Sequence, residues 1–187
     1  MENKIGADMI CGASAVSKSP ITEKVGIKNT YLFEAFDKDG NKKWEETIDN
    51  LVTNEGLNDV LDKYLKGSAY TASFFVGLTD STPTPAAGDT MASHAGWAEV
   101  TAYTEGTREA LTLGTVSGQS VDNSASKASF SINADTTVIG GGFVTTNSTK
   151  GGSTGTLYSV AAFTAADKSL DNGDTLNVTV TATSASV

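Results

Sequence analysis

The chain has 187 residues, 39% of them hydrophobic and only 19% charged, with 19 glycines and a formal net charge of -9. That size and mix suit one domain with its own core, made of short strands and turns rather than of a helical bundle. An acidic chain without a Lys/Arg cluster repels polyanions, which argues against a nucleic-acid partner, and no run approaches 18 apolar residues, which argues against a membrane-spanning helix.

Cys11 is the only cysteine, so no disulfide forms within the chain and no oxidising compartment is required. The first residues, MENKIGADMICGASAVSKS, lack a continuous apolar core of signal-peptide length, and synthesis in a cytoplasm is expected. Residues 1–27 carry scattered apolar side chains (Ile5, Met9, Ile10, Val16, Ile21, Val25, Ile27) with no helix or strand rhythm. They are read as an N-terminal arm ahead of a single β-rich domain over 28–187. An arm of this kind gains little by ordering alone, so it is expected to act in assembly rather than in the domain's core.

Residues 31–50 predict a β-hairpin. TYLFEAF and KKWEETI are strand-like, and DKDGN between them is turn chemistry. Asp37-x-Asp39 also opens a calcium loop, but Gly40 stands at the fourth position instead of the sixth, and Ile48 occupies the twelfth, where a Glu is needed.

A helix is expected over about 54–66, with Thr53 as N-cap, Glu55 at the positive end and Gly67 just past the C-terminus. Leu57, Val60, Leu61, Tyr64 and Leu65 fall on one face, which is expected to close one side of the β core. SFFVGL (73–78) reads as a central strand. The long Pro- and Gly-punctuated loop that follows is expected to form a helical turn over 89–93 and to return to the core at Trp97.

From Arg108 onward the pattern is β. Ala128, Phe130, Ile132 and Ala134 alternate with polar residues, as do Leu176, Val178, Val180 and Ala182, the habit of antiparallel sheets with one wet face. LYSVAAF (157–163) fits an interior strand, Gly140–Gly142 mark a bend or close backbone approach, and Gly151–Gly155 a hairpin loop. Gly88-Asp89-Thr90 and Gly173-Asp174-Thr175 repeat a tripeptide with unmatched flanks, read as two turns. The fold class that follows is mainly β: an antiparallel β-sandwich or jelly-roll-like domain with one amphipathic helix and an N-terminal arm.

No catalytic, cofactor-binding or metal-binding residues emerge. His94 is the only histidine and stands 83 positions from Cys11, which is too little for a zinc site. No Ser sits in G-x-S-x-G, MICGAS around Cys11 offers no base, and Gly140–Gly142 lack the Gly-Lys-Ser/Thr of a phosphate loop. Paired carboxylates leave glycan hydrolysis formally open. However, Trp44, Trp97 and the tyrosines are spread thinly, and Glu45, Glu46, Asp167, Asp171 and Asp174 read as solvated faces and turns.

The runs VTNEGLNDVL, FFVGL, TPAAGDTMASHAGW and TLYSVAAFTAADKSLDNGDTLNVTVTAT together resemble a group of small tailed-bacteriophage virion proteins, over residues 28–187. The resemblance implies a non-enzymatic structural protein that decorates the outer capsid as a cement protein. It would bridge major capsid protein subunits and form a homo-oligomer on the virion surface after synthesis in the host cytoplasm. A tail, adaptor or fibre-base component is the alternative within the same particle. A carbohydrate-binding or glycan-hydrolysing β-sandwich is the alternative of another class.

Overall fold

The structure, a computed structural model, describes residues 25–70 and 73–186. Residues 1–24 of the expected arm, Cys11 included, lie outside the described residues, while Val25–Ile27 already belong to the first strand. In chain order the elements are β1 (Val25–Phe36), β2 (Lys42–Val52), α1 (Asn54–Val60) and β3 (Phe75–Thr79). A short β4 (Glu109–Ala110) follows, then β5 (Ser120–Asp122), β6 (Ala128–Ser131), β7 (Thr137–Ile139) and β8 (Gly141–Thr145). β9 (Leu157–Ala162), β10 (Lys168–Leu170) and β11 (Thr175–Ser186) complete the chain, and α1 continues into a π-helical stretch, Leu61–Leu65. The fold is mainly β with antiparallel pairing throughout these strands, as the alternating patterns predict.

The hairpin forms where expected, from Thr30↔Asp49 to Phe36↔Lys42. Asp37 Oδ1 accepts from the N–H groups of Asp39 (2.9 Å) and Asn41 (2.8 Å), and Gly40 takes φ +83°. The acidic pattern is therefore turn chemistry. The repeated Gly-Asp-Thr tripeptides also prove to be turns, and they share one geometry. Asp89 and Asp174 each donate N–H to the carbonyl three residues back and accept, through the side chain, that residue's own N–H.

The main sheet runs β4-β3-β8-β9-β2-β1-β11, with β5 and β6 both on the outer edge of β11. It bends because β2 serves two partners. β2 pairs with β1 up to Asp49, then Asn50–Val52 pair with β9. A strand that changes partners in this way makes the corner between packed layers. Phe33, Phe130, Leu176 and Val178 from one layer meet Val76, Leu78 and Val144 from the other in one core, which is a β-sandwich-like arrangement. The ribbon β7–β10 adds Ile139 and Leu170.

The handover leaves β1 short of a partner. Asn29 would have been the next residue opposite Asn50, whose backbone now belongs to β9. The Asn50 side chain replaces it, with Oδ1 accepting from Asn29 N–H at 3.0 Å. Beyond this point, Val25–Lys28 pair with β11 alone among the described residues.

SFFVGL forms β3, bonded along its length to β8 and on its other side to the two-residue β4. LYSVAAF forms the interior strand β9. The glycine run marks a close approach as expected: a Cβ on Gly140 would overlap the Ser81 backbone. Trp97 and Met91 are buried. The helical turn expected over 89–93 is instead a tight turn in which Thr90 and Ser93 exchange backbone hydrogen bonds (3.0 and 3.2 Å).

The helix occupies the expected span, capped by the Thr53 hydroxyl accepting from Gly56 N–H at 3.1 Å. The face expected to be buried is not. Leu57, Leu61, Tyr64 and Leu65 are 41%, 53%, 82% and 71% exposed, and Val60 alone of the five is not among the exposed residues. The cause is Gly56. Its backbone lies against Tyr158, whose carbonyl oxygen a Cβ would overlap, and Gly56 is the buried residue of α1. One residue turns the helix by about 100°, so seating Gly56 rotates the Leu57–Leu61–Leu65 ridge off the sheet.

Two substitutions separate these readings in a denaturant titration. Gly56→Val overpacks the seat and is expected to cost about 1–3 kcal/mol. Leu61→Ala is expected to stay within about 0.5 kcal/mol, the usual range for a surface change.

Candidate interaction surface

The charged residues of the described chain are largely engaged with one another. Arg108 is fully buried. Its Nε and Nη2 donate to the two carboxylate oxygens of Glu99 (2.9 and 2.7 Å), Nη1 to Asn147 O (2.8 Å) and Nη2 also to Gly152 O (2.6 Å). Glu99 further accepts from Gly151 N–H at 2.9 Å. The guanidinium lies 5.2 Å from the Phe143 ring centroid. This planar fork suits a carboxylate held in two places, and it ties the long loop ahead of β4 to the loop between β8 and β9. Little in the sequence distinguishes Arg108 from a surface arginine. The one available signal is that it precedes a short strand after a long loop.

The acidic residues expected to be solvated divide into two groups. Glu45 is exposed, with a contact to Lys42 (2.7 Å). Asp174 is buried and holds Lys43 at 2.6 Å; Glu46 is largely buried, pairs with Lys168 at 2.8 Å and accepts from Thr164 N–H. These two are corrections to the surface reading, and in each case a lysine on a distant strand makes burial tolerable. Asp171 remains exposed and adds a longer contact to Lys43, and Asp167 accepts from the Thr82 hydroxyl.

Glu34 lies between Lys127 and Lys42. The Lys127 hydrogen bond, opposed by partial burial and aided by Lys42, holds its carboxyl below the usual range. Glu109 is the one carboxyl group among the described residues pushed upward, by burial and then by Glu105.

His94 stacks on Trp97, ring centroids 3.6 Å apart and 12° from parallel, and burial holds its imidazole below the ordinary value. The sequence holds no second histidine, and Cys11 lies outside the described residues. Among the described residues no three His, Cys, Asp or Glu side chains converge as a metal site, and no helix is long and apolar enough to cross a membrane.

The helix side of the surface carries an apolar hollow. α1 and its π-helical continuation stand over the sheet and enclose a cavity of about 310 Å³, lined by Asn29, Val60, Phe74, Leu111, Val144 and Tyr158 among others. Phe74 and Tyr158 meet edge to face at 5.5 Å on its wall. Val60, Tyr64 and Ala182 also line a second hollow of about 420 Å³, with Ile27, Val116 and Val121, so the two form one groove running to the start of β1. Tyr70 (78% exposed) and Val116 (70%) stand at its rim. Beside it runs the exposed ridge of Leu57, Leu61 and Leu65. The π-helical stretch carries Tyr64 and Leu65, a deviation common where a helix serves a function rather than a core.

Comparison of the chain with protein-family models, curated proteins and solved structures returns no match.

Two measurements test the polar assignments. Removing the guanidinium with Arg108→Ala leaves Glu99 buried without a counter-charge, and an expected loss of about 3–5 kcal/mol follows. The double change Arg108→Met with Glu99→Leu should recover part of it. For Glu34, a pKa lowered on folding adds stability that is present above the unfolded carboxyl range and is lost as pH falls through the lower, folded value. Glu34→Gln should therefore be less stable than the parent at pH 7, and the gap should close as pH falls below about 4.3.

Proposed function

We propose that this chain is a non-catalytic assembly protein of a tailed-phage virion, decorating the outer capsid and bridging major capsid protein subunits. The observation that carries an assembly role is the exposed ridge Leu57–Leu61–Leu65 with Tyr64 beside it. Monomeric proteins rarely leave a contiguous row of large apolar side chains in water unless a partner covers it. The capsid as partner rests on the sequence resemblance alone. The excess of acidic residues agrees with a place outside the DNA-filled lumen, where the charge meets no polyanion.

The mechanism in this reading is mechanical. The β-sandwich is a rigid body, and the helix presents the ridge without needing to rearrange, because Gly56 fixes its rotation. Bridging two capsid subunits then adds buried apolar area against internal pressure.

The test is reconstitution on particles stripped of this protein. Leu61→Asp combined with Leu65→Asp should leave the melting temperature within the range of a surface change, yet weaken particle binding by at least about tenfold, the scale of losing a single well-packed interface anchor. Val138→Asp, at an exposed apolar residue in β7, should bind as the parent does. Full occupancy by the double variant would remove the ridge from the mechanism. A copy number matching the tail rather than the capsid lattice would move the protein to the tail.

A further inference from the structure

The chain from Asp80 to Ala98 forms a closed loop over its own small core. Asp80 pins the neck: its N–H donates to Ala98 O (2.9 Å), and its Oδ1 accepts from Ala98 N–H (2.7 Å). Ser81 Oγ adds a bond to Gly96 O at 2.9 Å. Met91 and Trp97 reach inward to Phe143, Leu157 and Val160, a buried cluster separate from the main core. His94 lies flat against the Trp97 ring, centroids 3.6 Å apart. We propose that this loop is an acid-released flap, held shut while the His94 imidazole is neutral and opening locally as it takes up a proton, with the sandwich still folded.

The direction follows from the geometry around the ring. His94 Nδ1 is buried and has no hydrogen-bond partner among the described residues. In a neutral imidazole that atom can stay a bare acceptor. Protonation makes it a charged N–H donor with nothing to receive it, and opening to water removes that cost. Trp97 Nε1 is also buried without a partner, so packing rather than hydrogen bonding holds the indole. Burial disfavours the imidazolium; Asp89 on the same loop, a hydrogen bond to the Trp97 backbone and Glu99 favour it, and burial outweighs them. Glu99 is engaged by Arg108 at 2.7 Å. β8 and β9 face the loop with Phe143, Leu157 and Val160, none of them charged. Other carboxylates around the loop are committed: Glu55 of α1 accepts from Leu157 N–H (3.1 Å), and Asp167 from the Thr82 hydroxyl. A histidine pKa lowered in the closed state costs that state stability as pH falls from the ordinary histidine range towards the lower, closed value. Opening withdraws Ala87 O from Asn54 N–H (2.8 Å), the first residue of α1, and bares Met91 and Trp97. Gly56 keeps its seat on Tyr158, so acid adds a second apolar face beside a helix that stays in place.

His94 is the sole histidine, so its ring signals in the full-length protein titrate without overlap. Their midpoint by NMR should lie below the ordinary value of about 6.5. Amide hydrogen exchange, corrected for its intrinsic pH dependence, reads the opening itself. Between about pH 7 and about pH 5, protection at Asp80, Ser93 and Ala98 should fall severalfold, while Phe33 and Val178 in the sheet keep theirs. His94→Phe retains a stacked ring without the proton site and should abolish the pH dependence at the loop. A midpoint at or above the ordinary value overturns the proposal. So does loop protection that does not change with pH, or the same fall in His94→Phe. A fall shared by Phe33 and Val178 is global unfolding and overturns it as well. None of these readings involves particles, so failure here is distinct from failure of the assembly reading.

Discussion

The architecture depends on β2 serving two layers. Sandwich layers usually close through side chains alone, but here one continuous strand carries the hydrogen-bond ladder around the corner, from β1 to β9. The cost falls on β1, whose backbone loses its neighbour at Asn29. A buried N–H without a partner costs about as much as a lost hydrogen bond, and the Asn50 side chain removes that cost at the first open position. Tyr31 and Ser159 continue the repair, with their hydroxyls 2.6 Å apart, and burial pushes the Tyr31 phenol well above its ordinary value. The corner that makes the sandwich is thus also the place where polar groups collect beneath an otherwise apolar groove.

What was legible in the sequence was what neighbours along the chain decide. The hairpin turn at Asp37–Asn41, the alternating faces of β6 and β11 and the Thr53 cap all depend on residues within a few positions of one another. The helix is the instructive failure. Its 3.6-residue apolar repeat was read correctly as amphipathic, yet the buried direction is set by Gly56 against Tyr158, about a hundred positions away in sequence. A periodicity reports that a helix has two faces. It does not report which way a distant backbone will let it rest, because the deciding residue has no side chain and contributes nothing to the apolar pattern. The same holds for Arg108 and Asp174. Charged residues are read as solvated unless their partners are adjacent, and Glu99, Asn147 and Lys43 all come from other parts of the chain.

Rotation of the helix also explains why one surface offers two different chemistries. Side chains facing the sheet, Val60 and Lys63 with Asp59, stand over the groove, whose mostly apolar lining includes the Asn29 amide. Side chains a quarter turn away form a dry aliphatic row with no polar group to satisfy. A groove of this kind combines apolar walls with a polar side chain. A bare leucine row selects a matching apolar surface and is indifferent to backbone.

The ridge imposes a bound on how it can act. Covering a fully exposed leucine side chain is worth about 1.5–3 kcal/mol, and these three are already partly covered, so together they only match the lower estimates of the entropy lost when two proteins associate. A single ridge therefore supports weak, reversible contact, and tight attachment requires several engaged at once. A symmetric oligomer, or a lattice of identical sites, meets that requirement through effective concentration rather than through more area per copy. The assembly reading consequently makes sense only for repeated partners, and a repeated partner is what the bridging of identical capsid subunits would supply.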